Sequence, residues 1–302
     1  MRTRPPRDLS SYLRLSRPPS GARWRLVLGL VAAAVGFFAV TLAALLAVAL
    51  AVRAVGGHLE VDTDSISAPL LLATNLGLAS CIPLAGLLTW GIYGLRPRWL
   101  ASVAPGLRWS WLVSCLVVAS VVWGVLFLLA LTAVATTAEA RFDGKVAALL
   151  VVVLLTTPLQ AAGEEYLFRG FLLQSLGATG LRAPPCWVIS GALFATAHGQ
   201  FAPALFADRW LIGIVFAWLA TATGGLEASI TIHAVKNVSA LVPAVLLGEL
   251  SSAIDPSDVT WLPFALDAVM LTVAALWIRT RLRRHTLPPP PPEVWPEGPR
   301  AG

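Results

Sequence analysis

Long apolar runs without charged residues follow one another along almost the whole of this sequence. An α-helix needs about 20 apolar residues to cross about 30 Å of hydrocarbon. Backbone polar groups in lipid must bond within the structure, so the runs predict helices; barrel strands would be about 10 residues long and alternate in polarity. The eight predicted membrane-spanning helices are Leu26–Val52, Ser65–Leu95, Trp109–Ala138, Val146–Gly163, Ala183–Ala207, Trp210–Leu226, Ala228–Gly248 and Val259–Ile278. The fourth run is short, and we expect its helix to continue past Glu164 and Glu165.

The composition excludes a soluble domain and a disordered chain. Hydrophobic residues make up 57% and charged residues 13% of the chain, against about 45–50% and about 25% in soluble domains. Disorder goes with the opposite profile of low hydrophobicity and high charge. We therefore predict an all-α polytopic membrane protein of about eight transmembrane helices, with the motif-bearing helices as its core. Its predicted segments are a basic cytoplasmic tail (1–25), three transmembrane helices (26–145), a core (146–248), a last transmembrane helix (249–278) and a Pro/Arg-rich cytoplasmic tail (279–302).

The basic residues predict the orientation of the helices. Residues 1–25 hold seven Arg against one Asp, the loop 96–108 holds three Arg and no acid, and the C-terminal tail holds five Arg against two Glu. The loop 53–64 holds three acids against one Arg, and the loop predicted after the fourth span carries Arg169 and Arg182. Because Lys and Arg are enriched on the cytoplasmic side, we expect both termini in the cytoplasm and the chain in the inner, or plasma, membrane of a bacterial cell. Basic residues placed between apolar runs also argue against a nucleic-acid partner.

The three cysteines, Cys81, Cys115 and Cys186, all lie within apolar stretches and show no CxxC spacing. Residues in such positions are typically small, buried and apolar in character. The sequence therefore predicts neither a disulfide framework nor a cysteine-based zinc site.

Ionisable residues within the apolar runs are the main functional signal. A charge near the bilayer centre costs about 2.5–3.5 kcal/mol, so each such residue is a functional hypothesis. The first three spans contain none, whereas the second half contains Glu164, Glu165, Arg169, His198, His233 and Lys236, with Asn237 beside them. Several of these residues are four apart and share a helix face. We expect them to meet in a water-filled cavity in the cytoplasmic half of the membrane.

Three sequence motifs within these runs resemble those of one protein family. Residues 163–170 (GEEYLFRG), 194–198 (FATAH) and 233–237 (HAVKN) are similar, in order and spacing, to the EExxxR, FxxxH and HxxxN motifs of the CPBP (CAAX protease and bacteriocin-processing, Abi-type) intramembrane proteases. Residues 223–226 (TGGL) are also like that family. The resemblance covers roughly residues 146–248. It implies an intramembrane endopeptidase related to the CAAX prenyl endopeptidases.

The resemblance also implies roles for the site residues. Glu164 with His198 would activate a water molecule, and His233 with Asn237 would polarise the scissile carbonyl group near the cytoplasmic face of the membrane. Such a division matches what hydrolysis needs, namely a base, an oxyanion stabiliser and a proton donor for the leaving amine. The substrate would be a membrane-associated peptide or protein.

Two further roles are implied by the same resemblance. Glu165 would pair with Arg169 and orient the site, or share in the chemistry. The family has been described both as glutamate proteases and as metalloproteases. Two histidines and a carboxylate are a known catalytic zinc set, so Glu164, His198 and His233 could hold a divalent metal such as zinc, although HExxH is absent.

Other functions fit the same residues. A transporter or a proton or ion pathway could use a buried Glu/His cluster as a relay, although transporters often have matching halves with broken helices, and the chain shows no internal repeat. A catalytically idle scaffold is a further alternative. At the level of single residues, Glu165 and Arg169 could form a structural ion pair, and each histidine could be an interhelical hydrogen-bond partner.

Overall fold

A computed structural model describes residues 12–16, 23–62, 65–104, 106–136, 142–254 and 260–282. The described residues form helices joined by short connections, with one isolated β-bridge between Ser102 and Gly225. The α-helices are α1 (Trp24–Ala54), α2 (Ala68–Ala79), α3 (Cys81–Tyr93), α4 (Trp109–Thr136), α5 (Gly144–Glu165), α6 (Leu173–Ala178), α7 (Ala183–Ala197), α8 (Pro203–Thr223), α9 (Glu227–Leu247), α10 (Leu250–Ile254) and α11 (Leu262–Leu282). Two 3₁₀ turns, Tyr12–Arg14 and Pro97–Leu100, and a π-helical segment, Tyr166–Leu172, complete the fold.

The structure confirms the predicted all-α polytopic membrane protein. The described residues contain seven, not eight, helical segments long enough to cross a bilayer. The predicted span that falls short is the one containing α7, whose 15 residues give about 22 Å of helix at 1.5 Å per residue. The predicted fifth and sixth spans therefore have the wrong limits. Gly199 ends α7 with a φ of 67°, and Pro203 starts α8 at a position where proline suits the first turn of a helix. This turn is uncharged, so a search for charge-free runs passes over it.

The fourth span is much longer than the apolar run that predicted it. As expected, the helix continues past Glu164 and Glu165: α5 leads into the π-helical segment and then α6, and the three together make a span of 35 residues. The expectation that Arg169 lies in the following loop was wrong. Arg169 is fully buried within the π-helical segment, because its charge is balanced inside the protein and not by water.

The helices differ in how much protein surrounds them. In the most apolar 18-residue stretch of each helix, 6% of the residues are buried in α1, whereas 50% are buried in α8 and in α9. The α9 helix packs against α4, α5 and α8, and α2 packs against α5. The bundle is therefore built around α9, and α1 lies at its lipid-facing edge. The three cysteines are buried, with free thiols.

The helix directions define two faces of the molecule. The terminal face is the one where α1 and α9 begin and where α11 ends; the opposite face is the one where α2 and α5 begin and where α9 ends. An ion pair of 2.6 Å between Arg108, just before α4, and Glu227, at the start of α9, joins two helix starts on the terminal face. Asn75 of α2 donates to the hydroxyl groups of Thr156 and Thr157 in α5, so the two helices that begin on the opposite face are in direct contact.

Part of the predicted N-terminal tail is integrated into the terminal face. Tyr12 and Leu13 are essentially inaccessible to solvent, and the Tyr12 hydroxyl group donates to the Leu100 carbonyl oxygen. Ser16 donates to Gln174 of α6 at 2.9 Å. Residues 1–11 and 17–22 of this predicted tail, and residues 283–302 of the C-terminal tail, lie outside the described residues.

Candidate active site

Two adjacent glutamates stand in the last turn of α5, where that helix comes closest to α2. Glu164 and Glu165 are both buried. They follow Gly163, where an added Cβ would overlap the Leu78 carbonyl group of α2. Only glycine permits this backbone approach. The close packing of α2 on α5 therefore fixes the height and the direction of both carboxylates.

Glu165 joins a buried arginine to a histidine of the central helix. Its Oε1 atom lies 2.9 Å from Nη1 of Arg169 and 2.9 Å from Nδ1 of His233. The Arg169 guanidinium group lies 4.1 Å from the ring centroid of Phe194 and 5.3 Å from that of Phe216. Arg169 gives the Glu165 carboxylate a charged partner, and the same oxygen accepts a hydrogen bond from Nδ1–H of His233, which sets the direction of the imidazole ring.

Glu164 has one oriented oxygen and one without a hydrogen-bond partner. Gln160, one turn earlier on α5, donates to Oε1 of Glu164 and accepts from Nδ2 of Asn237 at 3.2 Å. Oε2 of Glu164 lies 3.7 Å from Nε2 of His233, too far for a direct hydrogen bond, and has no hydrogen-bond partner among the described residues. A buried carboxylate oxygen without a partner is costly in a structural role and suits a group that exchanges protons with a substrate or a water molecule.

His198 caps the C-terminus of α7 and faces the same cavity. Its Nδ1 atom lies 2.8 Å from the Phe194 carbonyl oxygen. Because a carbonyl oxygen can only accept, Nδ1 carries the proton, and Nε2 of the neutral ring is an acceptor. The Phe194 ring lies between the two imidazoles, with its centroid 4.6 Å from that of His198 and 6.0 Å from that of His233.

These side chains enclose a cavity of about 230 Å³. Glu164, His198, His233 and Asn237 line the cavity directly. Glu165 and Arg169 do not line it; they support His233 from behind. The predicted residues are thus brought together from α5, α7 and α9, with their supporting arginine in the π-helical segment.

Lys236 pairs with an acid of another helix. Its Nζ atom lies 2.8 Å from a carboxylate oxygen of Asp267 in α11, and the residue also lines the cavity. Arg209 of α8 contributes to the same wall and pairs with Asp208 at 2.6 Å. Ion pairing inside the bundle therefore balances the charge of Lys236.

Sequence analysis missed the neutral polar residues of the site. Gln160 and Asn75 line the cavity, and both are buried. Both amides are uncharged, so the cost of a charge in lipid, which marks the ionisable residues, does not mark Gln160 or Asn75. The available signal was the spacing: Gln160 stands four residues before Glu164 in an otherwise apolar run, which places both side chains on one face of the helix.

The side chains named as possible metal ligands, Glu164, His198 and His233, all line the cavity. No group of three His, Cys, Asp or Glu side chains suited to a metal ion occurs in the part of the chain that the structure describes. His233 and His198 each use Nδ1 for a hydrogen bond within the protein, which leaves Nε2 as the second nitrogen of each ring. The predicted ligand set stays a prediction.

Comparison with known proteins supports the resemblance found in the sequence. Residues 146–239, which carry all three motifs, match the family model described as type II CAAX prenyl endopeptidase Rce1-like, so the predicted family resemblance is confirmed over this segment. The uncharacterized protein YyaK of Bacillus subtilis (strain 168) is 31% identical over 96 residues, which are 30% of this chain and 32% of that protein. The chain thus spans about a third of the length of this curated relative. No solved structure matches the chain significantly.

Proposed function

Residues 146–239 are Rce1-like, and on this premise we propose that this integral membrane protein is an intramembrane endopeptidase. The substrate is a membrane-associated peptide or protein. The observation that carries the proposal is the buried Glu164 oxygen that has no hydrogen-bond partner among the described residues and lies 3.7 Å from Nε2 of His233. Asn237 and Nε2 of His198 are further polar groups of this cavity wall.

In the proposed mechanism, Glu164 and His198 activate water. A water molecule in the cavity gives a proton to the Glu164 carboxylate as its oxygen attacks the scissile carbonyl carbon, and Nε2 of His198 accepts a hydrogen bond that orients this water. Glu164 then returns the proton to the nitrogen of the leaving amine as the C–N bond breaks. One carboxyl group thus acts as base and as acid.

Asn237 and His233 stabilise the oxyanion. Asn237 donates through Nδ2, and Gln160 holds its amide group at 3.2 Å. His233 gives its Nδ1–H to Glu165, so it would donate through Nε2 as the doubly protonated imidazolium, and its ring, held in place, needs little reorganisation as charge develops. Donors of this kind, fixed in advance, are typically worth about 10²–10³ in rate.

The alternative function as a transporter or an ion pathway has less support. A pathway needs access from both faces, but Leu100 and Leu226, which lie at the terminal face, are fully buried. The Rce1-like match also favours hydrolysis.

The proposal is tested with purified protein in lipid vesicles. The vesicles are mixed with a library of membrane-anchored peptides, prenylated and unprenylated, and mass spectrometry records new termini. We expect cleavage that falls by about 10²–10⁴ in Glu164→Gln, because the base is lost, and stays unchanged in Glu249→Gln, whose side chain is exposed. We also expect cleavage to survive a chelator, since in the proposed mechanism the Glu164 carboxylate, and not a metal ion, activates the water. Folded wild-type protein that cuts no peptide, or Glu164→Gln as fast as wild type, would overturn the proposal.

A further inference from the structure

The candidate site is closed toward the terminal face and reaches toward the opposite face, and we propose that substrates enter it from the extracytoplasmic side of the membrane. The inference rests on the proposed function. It also differs from the sequence-based expectation of a cavity open to the cytoplasm.

Buried residues close the site on the terminal face. Tyr12, Leu100, Leu226 and Glu227 are each 0% exposed and Leu13 is 1% exposed. Tyr12 ties the N-terminal segment to the Leu100 carbonyl oxygen. The backbone of the adjacent loops is paired as well, since the Leu226 amide donates to the Ala101 carbonyl oxygen at 2.8 Å. None of these residues lines the cavity, so this buried layer separates the cavity from the terminal face.

The cavity instead follows the helices toward the opposite face. Along α9 its wall runs from His233 to Leu241, which lie about 9 Å and about 21 Å from the start of the helix at 1.5 Å per residue. Its other walls include Leu71 and Thr74, in the first two turns of α2. Ala253 at the end of α10, which follows α9 on the opposite face, also lines the cavity and is exposed.

The charges of the two faces set the orientation. The segments that lead into α4 and α1 from the terminal face are Arg-rich in sequence, with three Arg and no acid in 96–108 and seven Arg in 1–25. The segments that follow α1 and α9 carry acids, three in 53–64 and three in 248–261, against one Arg in all. Because the basic side of a membrane protein is the cytoplasmic one, the cavity faces outward. Its substrates are then peptide segments exposed outside the cytoplasm, such as exported peptides or the outer flank of a membrane-inserted chain, and not cytoplasmic tails.

Cysteine labelling of the full-length protein in intact cells tests this inference. Ala253→Cys probes the cavity, and Arg182→Cys, at an exposed position before α7, probes the terminal face. Each is treated with a membrane-impermeant maleimide before and after permeabilisation. Wild-type protein, whose three cysteines are buried, gives the background.

We expect Ala253→Cys to react in intact cells and Arg182→Cys only after permeabilisation. The inference is overturned if Ala253→Cys reacts only after permeabilisation or not at all, or if Arg182→Cys reacts in intact cells. Labelling does not depend on catalysis. If the labelling is as expected but wild-type protein cleaves nothing, the proposed endopeptidase function is refuted and the inferred orientation stands. If the labelling is reversed but cleavage depends on Glu164, the orientation is refuted and the endopeptidase function stands.

Discussion

At the scale of single residues, an amide that is not among the family motifs connects the two halves of the site. Gln160 bonds Glu164 on one side and Asn237 on the other, so it is a positioning residue for both the base and the oxyanion donor. We predict that Gln160→Met, which keeps the volume and loses both bonds, lowers kcat by about 10–100-fold with little change in KM, because a small misplacement of a catalytic group is costly. Steady-state cleavage of one peptide measures both constants.

A matched substitution separates positioning from a general loss of stability. Gln174→Met also removes a buried side-chain hydrogen bond, the one from Ser16, but Gln174 does not line the cavity. Both variants should lose similar stability in a thermal melt, and only Gln160→Met should lose kcat. Equal effects of the two variants on kcat would show that Gln160 is merely structural.

At the scale of helices, the contact of α2 with α5 sets the position of the glutamates. A Cβ on Gly163 would meet the Leu78 carbonyl group and the Ala79 Cα atom, both of them backbone that cannot move aside. We therefore predict that Gly163→Ala separates the two helices and lowers both stability and cleavage, by about 1–3 kcal/mol in unfolding free energy as in other overpacked cores. Unfolding in detergent and the cleavage rate are the measurements.

Gly124 offers the control within a membrane helix. It lies inside α4, and an added Cβ there would meet nothing within 4 Å. Gly124→Ala should be neutral or slightly stabilising, because alanine is the better helix former. If Gly163→Ala behaves like Gly124→Ala, the close approach does not position the site.

At the scale of the whole molecule, the N-terminal segment closes the terminal face through Tyr12. Burial raises the pKa of the Tyr12 phenol well above its usual value of 10.0, so the folded protein keeps this proton where the unfolded chain releases it. The stability linked to the proton is fully present below pH 10 and is lost as the pH rises through the folded-state pKa. We predict that Tyr12→Phe costs about 1–2 kcal/mol at neutral pH, since the Leu100 carbonyl group loses its donor.

The same substitution should also flatten the alkaline side of the stability profile. Thermal unfolding of both proteins between about pH 8 and pH 11 measures this. Wild type is expected to lose stability above about pH 10 more steeply than Tyr12→Phe. Parallel profiles would show that the phenol is not buried in the folded protein.

Sequence analysis predicted the helical class and the residues that meet in the cavity, because charge in an apolar run is costly and easy to recognise. It failed where the residues that decide the structure carry no charge. The uncharged turn at Gly199 divided one predicted span, and the amides of Gln160 and Asn75 were passed over. The burial of Tyr12 depends on its tertiary partner, the Leu100 carbonyl group, which no local pattern shows.

The central claim is that the Glu164 carboxylate and the His198 imidazole act on one water molecule as a unit, and a double-mutant cycle tests it most directly. Single-turnover cleavage is measured for wild type, Glu164→Gln, His198→Ala and the double variant. Residues that act together are strongly non-additive, so we predict that the double variant is about as slow as the slower single variant. Rate losses that multiply independently, or single variants as fast as wild type, would contradict the account.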